Sequence, residues 1–325
     1  MRVGLILPQG WFGEFAGWDP VRAYDRVVEI AHLAEQRGFD SLWTGEHVLT
    51  KWGGEQTLLE CMTLTAALAP QVHRIGLGFT VLNTTFRNPA LTAKMASTLD
   101  VVSGGRLTLG LGAGFRQDEF EAFGYPFLPT RERLRMLGEH LEIITRMVDR
   151  REPPVSFDGQ YARVAGAVNN PRSVRSPRIP ILIGGHGPEI TFRLAARYCD
   201  EINLDVLPAQ TESALAVLRE RCHEIDRDPR SLAASISVPP SLDWAGLRST
   251  GGQRMMRPDE ISFADAERAS SLPRRAEAFA LWRELGLSRV ITGVPGLATT
   301  DETLDELVED CIEAGLELGP AGSAG

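Results

Sequence analysis

Residues 289–313 read RVITGVPGLATTDETLDELVEDCIE, a short strand-like run followed by an amphipathic segment. The run Arg289–Thr292 predicts a buried strand, and Asp301–Glu313 predicts a helix. Seven similar units come before it in the chain, so this is the eighth. Eight successive units close a barrel, whereas an open parallel sheet usually has about five or six strands. The sequence therefore predicts an α/β protein with a (β/α)8 TIM-barrel fold.

The seven earlier units show the same alternation of apolar runs and amphipathic segments. Their predicted strands are Val3–Leu7, Ser41–Thr44, Ile75–Thr80, Arg106–Gly110, Pro180–Ile183, Glu201–Asn203 and Ala234–Val238. Their predicted helices are Pro20–Arg37, Thr57–Ala69, Pro89–Val102, Arg131–Arg150, Pro188–Tyr198, Gln210–Asp226 and Ser271–Leu285. Asp19 and Asn88 each precede a proline and indicate helix starts, while Gly38 and Gly286 indicate helix ends.

Two stretches, residues 151–179 and 239–270, fit none of the eight units. The second is rich in Gly, Ser and Pro and follows the seventh strand, which predicts a long loop at the functional end of the barrel. A barrel of this kind needs about 250 residues. We therefore expect one domain over residues 1–318 with these two insertions, and a frayed tail at 319–325.

The composition excludes several classes of protein. The 325 residues include 34 Lys and Arg against 43 Asp and Glu, a net charge of −9. This acidic balance argues against a nucleic-acid or membrane-surface binder, because both need clustered cations. The first strand starts at Val3 with no leader before it, so we expect a cytoplasmic protein. The spacing of the cysteines predicts neither a disulfide framework nor a metal site: Cys61, Cys199, Cys222 and Cys311.

Barrel chemistry takes place at the carboxyl ends of the strands, and this rule sorts the six histidines. Only His47 and His186 follow predicted strands; His32, His140 and His223 fall in helices, and His73 falls at the opposite end. An imidazole at position 47, next to Glu46, could donate to a bound ring or carbonyl, or exchange a proton near neutral pH. The alternative is a loop histidine whose nitrogens bond to the backbone.

Two glycine-rich turns also follow predicted strands. Gly184, Gly185, His186 and Gly187 precede a helix start, where backbone amides and the helix dipole favour a phosphate. A tight turn without a ligand needs some of the same glycines. The second turn runs from Gly110 to Gly114, but Phe115 makes it unlike a dinucleotide fingerprint.

Large aromatic and basic side chains mark two further regions. Trp11, Trp18, Trp52 and Trp244 fall in loops after strands, where they could line a pocket for a planar ligand or cover the barrel mouth. Four arginines between residues 158 and 189 could contact an anionic cofactor tail or form a solvated face: Arg163, Arg172, Arg175 and Arg178.

Five motifs together resemble the bacterial luciferase-like superfamily, and within it the coenzyme F420-dependent oxidoreductases. They are FDSLWTGEH at 39–47, TVLNTTFRNPA at 80–90, LDVVSGGR at 99–106, GLGAG at 110–114 and ILIGG at 181–185. The resemblance is strong over residues 1–205 and looser beyond them.

This resemblance implies roles for residues at the strand ends. The cofactor ring would lie across them, with His47 and Glu46 as catalytic residues at its reacting edge. Thr80 and Val81 match the place of a non-proline cis peptide behind the ring. The cofactor-binding residues implied are Thr80, Val81, Asn83, Gly112, Ala113, Gly114, Gly184, Gly185, His186 and Gly187. The substrate-pocket residues expected are Gln9, Trp11, Trp52, Phe115 and Trp244.

The departures from the family pattern narrow the function. Val48 stands where many flavin monooxygenases of this superfamily have a second histidine, which favours the deazaflavin branch. Phe115 stands where sugar-phosphate dehydrogenases of that branch have an acid, so their substrate is not implied here. We expect an oxidoreductase that uses reduced coenzyme F420 to transfer a hydride to or from a small organic substrate.

Two alternatives stay open. One is an FMN-dependent monooxygenase that uses O2 and reduced FMN from a separate cofactor reductase. The other is a flavin- or deazaflavin-binding protein without turnover. The resemblance also suggests a homodimer.

Overall fold

The fold is a closed parallel β-barrel surrounded by helices, in a computed structural model that describes residues 1–51, 53–206, 208–238 and 274–319. The barrel strands are β1 Arg2–Ile6, β2 Ser41–Thr44, β3 Gly76–Phe79, β5 Leu107–Gly112, β8 Ile181–Gly184, β9 Glu201–Leu204, β10 Ala233–Val238 and β11 Arg289–Thr292. They pair in the order β3-β2-β1-β11-β10-β9-β8-β5, and the β3–β5 pairing closes the ring. The two-residue strand β4, Leu82–Asn83, pairs with β5. The predicted barrel is confirmed, with Val290 opposite Val3.

The described residues form nine α-helices, eight of which correspond to predicted ones. They are α1 Pro20–Gln36, α2 Cys61–Leu68, α3 Pro89–Val102, α4 Gln117–Ala122, α5 Thr130–Val148, α6 Thr191–Tyr198, α7 Pro208–His223, α8 Arg275–Glu284 and α9 Glu302–Glu313. Asp19 and Asn88 cap α1 and α3 as expected. Helix α2 begins later than predicted because the Glu60 side chain caps it at Met62 and Thr63. The short α4 was not predicted.

The first insertion contains an antiparallel hairpin that the sequence did not indicate, formed by β6 Val155–Asp158 and β7 Arg163–Ala167. The second insertion, 239–270, lies outside the described residues. Two arginines of the predicted basic cluster bond within the protein. Arg175 donates to the Gly105 carbonyl and Arg178 pairs with Asp200. Both partners precede strands, so these side chains lie at the amino end of the barrel.

A tryptophan and a buried ion pair fill that amino end. The Trp43 side chain is fully buried inside the barrel. A Cβ atom on Gly4 or Gly78 would lie 2.3 or 2.4 Å from its indole, so both strands need glycine there. Arg289 lies 3.2 Å from Glu201 and its guanidinium carbon 5.2 Å from the Trp43 ring centroid. The interior at this end is therefore packed with side chains.

The remaining expectations about the fold concern thiols and membranes. All four cysteines are buried and unpaired with one another. Burial raises the pKa of the Cys199 thiol, so this thiol is unreactive. Within the described residues, no helix combines the length and the apolarity that crossing a membrane requires.

Candidate active site

His47 lies just after β2, at the carboxyl end of the barrel, with one nitrogen bonded to a carboxylate. Its Nδ1 atom is 3.1 and 3.2 Å from the two carboxylate oxygens of Glu119. The Trp11 ring stacks on the imidazole, with ring centroids 3.6 Å apart. The side chain is 13% exposed. Nε2 has no hydrogen-bond partner among the described residues, so it is the nitrogen left to contact a ligand.

Glu46, the other predicted catalytic residue, lies behind this loop. Its carboxylate pairs with Arg87 and accepts a hydrogen bond of 2.6 Å from the Asn83 backbone N–H. Burial raises the pKa of Glu46, and the Arg87 charge opposes that shift. Because the side chain is only 2% exposed, the geometry supports a role in holding the loop.

The Glu46 carboxylate also lies close to two other side chains of types that bind metal ions. Ligand atoms of Glu46, Glu60 and Cys61 lie within 4.8 Å of one another. Arg87 contacts both carboxylates, at 3.0 Å for Glu60. Its guanidinium already supplies the positive charge that a metal ion would provide.

Val81 forms a floor between two of the predicted cofactor-binding glycines. The Thr80–Val81 peptide bond is cis, as the resemblance implied. A Cβ atom on Gly112 would lie 2.5 Å from a Val81 methyl carbon, and one on Gly184 would lie 2.9 Å from another. The glycines therefore let Val81 pack across the strand ends, where it contacts the Trp43, Leu182 and Ile291 cluster inside the barrel.

Asn83 and Gly114 form the neighbouring wall. The Asn83 side chain accepts a hydrogen bond of 3.1 Å from Thr85 N–H and caps a short turn. Gly114 has φ +71°, and a Cβ atom there would lie within 2.7 Å of the Asn83 amide group. Asn83 is buried, so it supports the wall, whereas Ala113 and Gly114 are partly exposed.

The glycine turn after β8 leaves a cradle in front of α6. Gly185 has φ +130°, a backbone conformation that a side chain would strain, and His186 is exposed. The buried Thr191 hydroxyl points at this turn, 3.0 Å from where a Cβ on Gly187 would lie. That hydroxyl has no hydrogen-bond partner within the described parts of the chain. A hydroxyl and helix-start amides of this kind fit a phosphate.

The predicted substrate-pocket residues divide into three groups. Gln9 is a brace: its amide accepts from Gly45 N–H at 2.7 Å and donates to the Leu59 carbonyl at 3.1 Å. Trp11 and Phe115 contact His47, and Phe115 is 56% exposed with its ring 6.0 Å from the imidazole. Trp52 and Trp244 lie outside the described residues.

Sequence reasoning missed Glu119, Thr191 and Ser237. Ser237, on β10, shares a hydrogen bond of 3.1 Å with the predicted Thr80 and donates to Asn203 at 2.7 Å. All three residues lie on β10 or in helices entered from strand ends, so the strand-end rule could have included them. It gave no means of choosing them over their polar neighbours.

Comparison with known proteins identifies the family to which this chain belongs. The sequence profile described as luciferase-like monooxygenase matches residues 1–244. A 4-hydroxyprotoasukamycin monooxygenase from Streptomyces nodosus subsp. asukaensis is 29% identical over 240 residues, 70% of this chain. The chain spans 63% of the length of that relative. An F420-dependent glucose-6-phosphate dehydrogenase from Nocardia farcinica is 32% identical over 275 residues, 76% of each chain.

A solved structure shows the same fold. An F420-dependent secondary alcohol dehydrogenase in complex with an F420-acetone adduct superposes with a TM-score of 0.75. The superposition covers 96% of this chain and 98% of that one, at 19% identity.

Proposed function

Since the chain belongs to the luciferase-like monooxygenase family, we propose that it is an oxidoreductase that uses reduced coenzyme F420. It transfers a hydride to or from a small organic substrate. The observation that carries this proposal is the Val81 floor at the strand ends, flanked by Gly112 and Gly184, with the Val81 carbonyl accepting from the N–H of Glu46, the neighbour of His47. A flat apolar surface of this kind suits a planar ring.

The residues around the floor fit the rest of such a cofactor. Ala113 and Gly114 line the side of the floor with backbone, and the turn Gly184–Gly187 leads into α6. Backbone amides of that turn and the Thr191 hydroxyl would hold the phosphate. When bound, the reduced deazaflavin supplies the hydride, and the protein supplies orientation and proton exchange.

His47 is the proposed proton-exchanging residue. Its Nε2 atom is without a partner among the described residues, and burial lowers the pKa of the imidazole, so the ring is neutral at pH 7. Trp11 and Phe115 give the adjoining surface an aromatic character that suits an organic substrate. Glu46 and Gln9 act indirectly, because they hold the loop that carries His47.

A monooxygenase that uses reduced FMN and O2 is the second candidate, favoured by the similarity to the Streptomyces nodosus monooxygenase. A binding protein without turnover is the third. Purified protein is titrated with reduced F420 and with reduced FMN, and reoxidation is followed with and without O2. The proposal requires tight F420 binding and substrate-dependent, O2-independent reoxidation. Tight FMN binding with O2 uptake contradicts it and supports the monooxygenase, while binding without turnover on a broad substrate panel supports the third candidate.

Two variants separate the roles of the site residues. His47→Ala is expected to lower turnover far more than cofactor affinity, because the imidazole exchanges a proton. Gly185→Val is expected to lower affinity first, since φ +130° strains a branched side chain in the phosphate turn. Unchanged turnover in His47→Ala would remove that residue from the mechanism.

The proposal extends to organisation and location. We infer one barrel domain over residues 1–318 with insertions at 151–179 and 239–270, a cytoplasmic location and a homodimer. A separate reductase that supplies reduced cofactor belongs to this proposal as well. Sedimentation of the purified chain tests the dimer.

A further inference from the structure

Two loops at the barrel mouth are joined by hydrogen bonds that centre on Glu119. One carboxylate oxygen of Glu119 accepts from the backbone N–H groups of Val48 and Leu49, at 3.1 and 3.2 Å. Arg116 donates in the same direction, to the Leu49 carbonyl at 3.1 Å. The loop that carries His47 is therefore fixed to the start of α4.

Helix α4 is itself held in place by an aromatic cluster. Phe120, next to Glu119, is fully buried, and its ring centroid lies 5.2 Å from that of Phe86 and 5.0 Å from that of Phe127. Glu119 is 3% exposed. Its carboxylate is thus positioned by packing before any ligand arrives, which is what a preorganised site requires.

We propose that Glu119 is a positioning residue that fixes the tautomer of His47, with the proton on Nδ1 and the lone pair of Nε2 turned toward the mouth. A carboxylate only accepts hydrogen bonds, so the nitrogen that faces it must carry the proton. Neutral His47 then meets its ligand as an acceptor. The ligand group opposite Nε2 is consequently an O–H or N–H donor. This inference rests on the proposed function only in giving His47 a ligand to face.

The charge state of His47 follows from its surroundings, so the open question is which ring nitrogen carries the proton. Burial lowers the pKa of His47; among the charged side chains of the described residues, Glu119 raises it, and Arg116 and Lys51 lower it. Burial is the largest influence and lowers the pKa, so the ring is neutral at pH 7. A neutral imidazole has one donor and one acceptor, and its hydrogen-bond partner decides which nitrogen is which.

Glu119→Gln tests the proposal because its geometry is constrained. Two backbone N–H groups and Arg116 surround one carboxylate oxygen, so the glutamine oxygen must take that place. The glutamine oxygen stays 3.1 Å from His47 Nδ1, while the glutamine NH2 takes the place of the second oxygen, 3.2 Å from Nδ1. A donor at that place competes with the ring proton on Nδ1 and raises the fraction of rings that carry the proton on Nε2. The matched control is Glu121→Gln, on the same helix, where the side chain is exposed and bonds only Gln117 among the described residues.

The readout is the ¹⁵N NMR spectrum of the histidine side chains in cofactor-free protein at pH 7, with His47 assigned by His47→Gln. We expect an Nδ1-protonated ring in the wild type and in Glu121→Gln, and a larger Nε2-protonated fraction in Glu119→Gln. Glu119→Asp, which keeps the carboxylate, should retain the Nδ1 proton. An Nε2-protonated ring in the wild type overturns the proposal, even where the glutamine variant does not fold.

Kinetics give a second and separate test. The kcat of Glu119→Gln should fall in proportion to the fraction of rings that carry the proton on Nε2, while KM changes little. A folded variant with a flipped ring and wild-type kcat would refute the positioning role. Absence of F420-dependent turnover in the wild type would instead count against the proposed function, and the NMR result would still decide the tautomer.

Discussion

The buried side chain of His140, on α5, should make the unfolding free energy of the protein depend on pH. The residue is 5% exposed, and its Nδ1 atom is buried without a hydrogen-bond partner in the described structure. A proton on Nδ1 would place a charge and an unpaired N–H inside the protein. Burial accordingly lowers the pKa of His140 from 6.5 to about 4, against small opposing effects of Glu139 and the Thr84 backbone.

The size and sign of the effect follow from linkage. In the unfolded chain His140 titrates near its ordinary pKa of about 6.5, so below that pH the unfolded state binds a proton that the folded state does not. The stabilising contribution is complete above pH 6.5 and is lost as the pH falls toward 4. At about 1.4 kcal/mol for each pH unit of that window, the loss is about 3 kcal/mol.

Urea unfolding of the wild type and His140→Gln between pH 7.5 and 4.5 measures this loss. The wild type should lose more unfolding free energy than the variant over that range, with the gap approaching about 3 kcal/mol at the acid end. His223→Gln, which removes an exposed histidine, should follow the wild type. Parallel curves for the wild type and His140→Gln would show that the buried ring is protonated without cost, and the reasoning would fail.

Two further substitutions test the packing of the barrel by urea unfolding. Gly112→Ala should cost about 1–3 kcal/mol, because its Cβ would lie 2.5 Å from a Val81 methyl carbon. Adding Val81→Ala should recover most of that loss, and additive losses would contradict the proposed contact. Arg289→Met should cost about 3–5 kcal/mol, because it leaves Glu201 buried without its cation. The control Arg230→Met removes the exposed pair with Asp228 and should leave the unfolding free energy unchanged. Equal losses in Arg289→Met and Arg230→Met would show that burial of the ion pair is not the cause.

The sequence predicted the barrel and the position of His47 because both depend on local pattern. Strand-like runs and helix caps are written in neighbouring residues, and the strand-end rule then places His47 at the mouth. The same rule could not single out Glu119 among its polar neighbours, because its partner His47 lies 72 positions away and local pattern does not show their contact. The two side chains meet because β3 pairs with both β2 and β5, which brings the ends of those strands together.

The glycines show a different limit. The sequence indicated Gly112 and Gly184 as cofactor-binding residues, and the structure supplies a second reason for them, because both face Val81. A glycine in a sequence indicates that there is no room for a side chain, but it does not identify the group that occupies the space. The side chain that fills it comes from a different strand end, so local pattern could not identify it. The same holds for Arg175, whose acceptor at Gly105 lies 70 positions away.

The packed amino end of the barrel determines from which side a ligand can enter. Trp43 and the Arg289–Glu201 pair block the interior below Val81, so the site is a dead end with its entrance at the carboxyl side. If the proposed cofactor lies on the Val81 floor and its substrate binds above it, we expect the cofactor to bind first and the product to leave before the cofactor is exchanged.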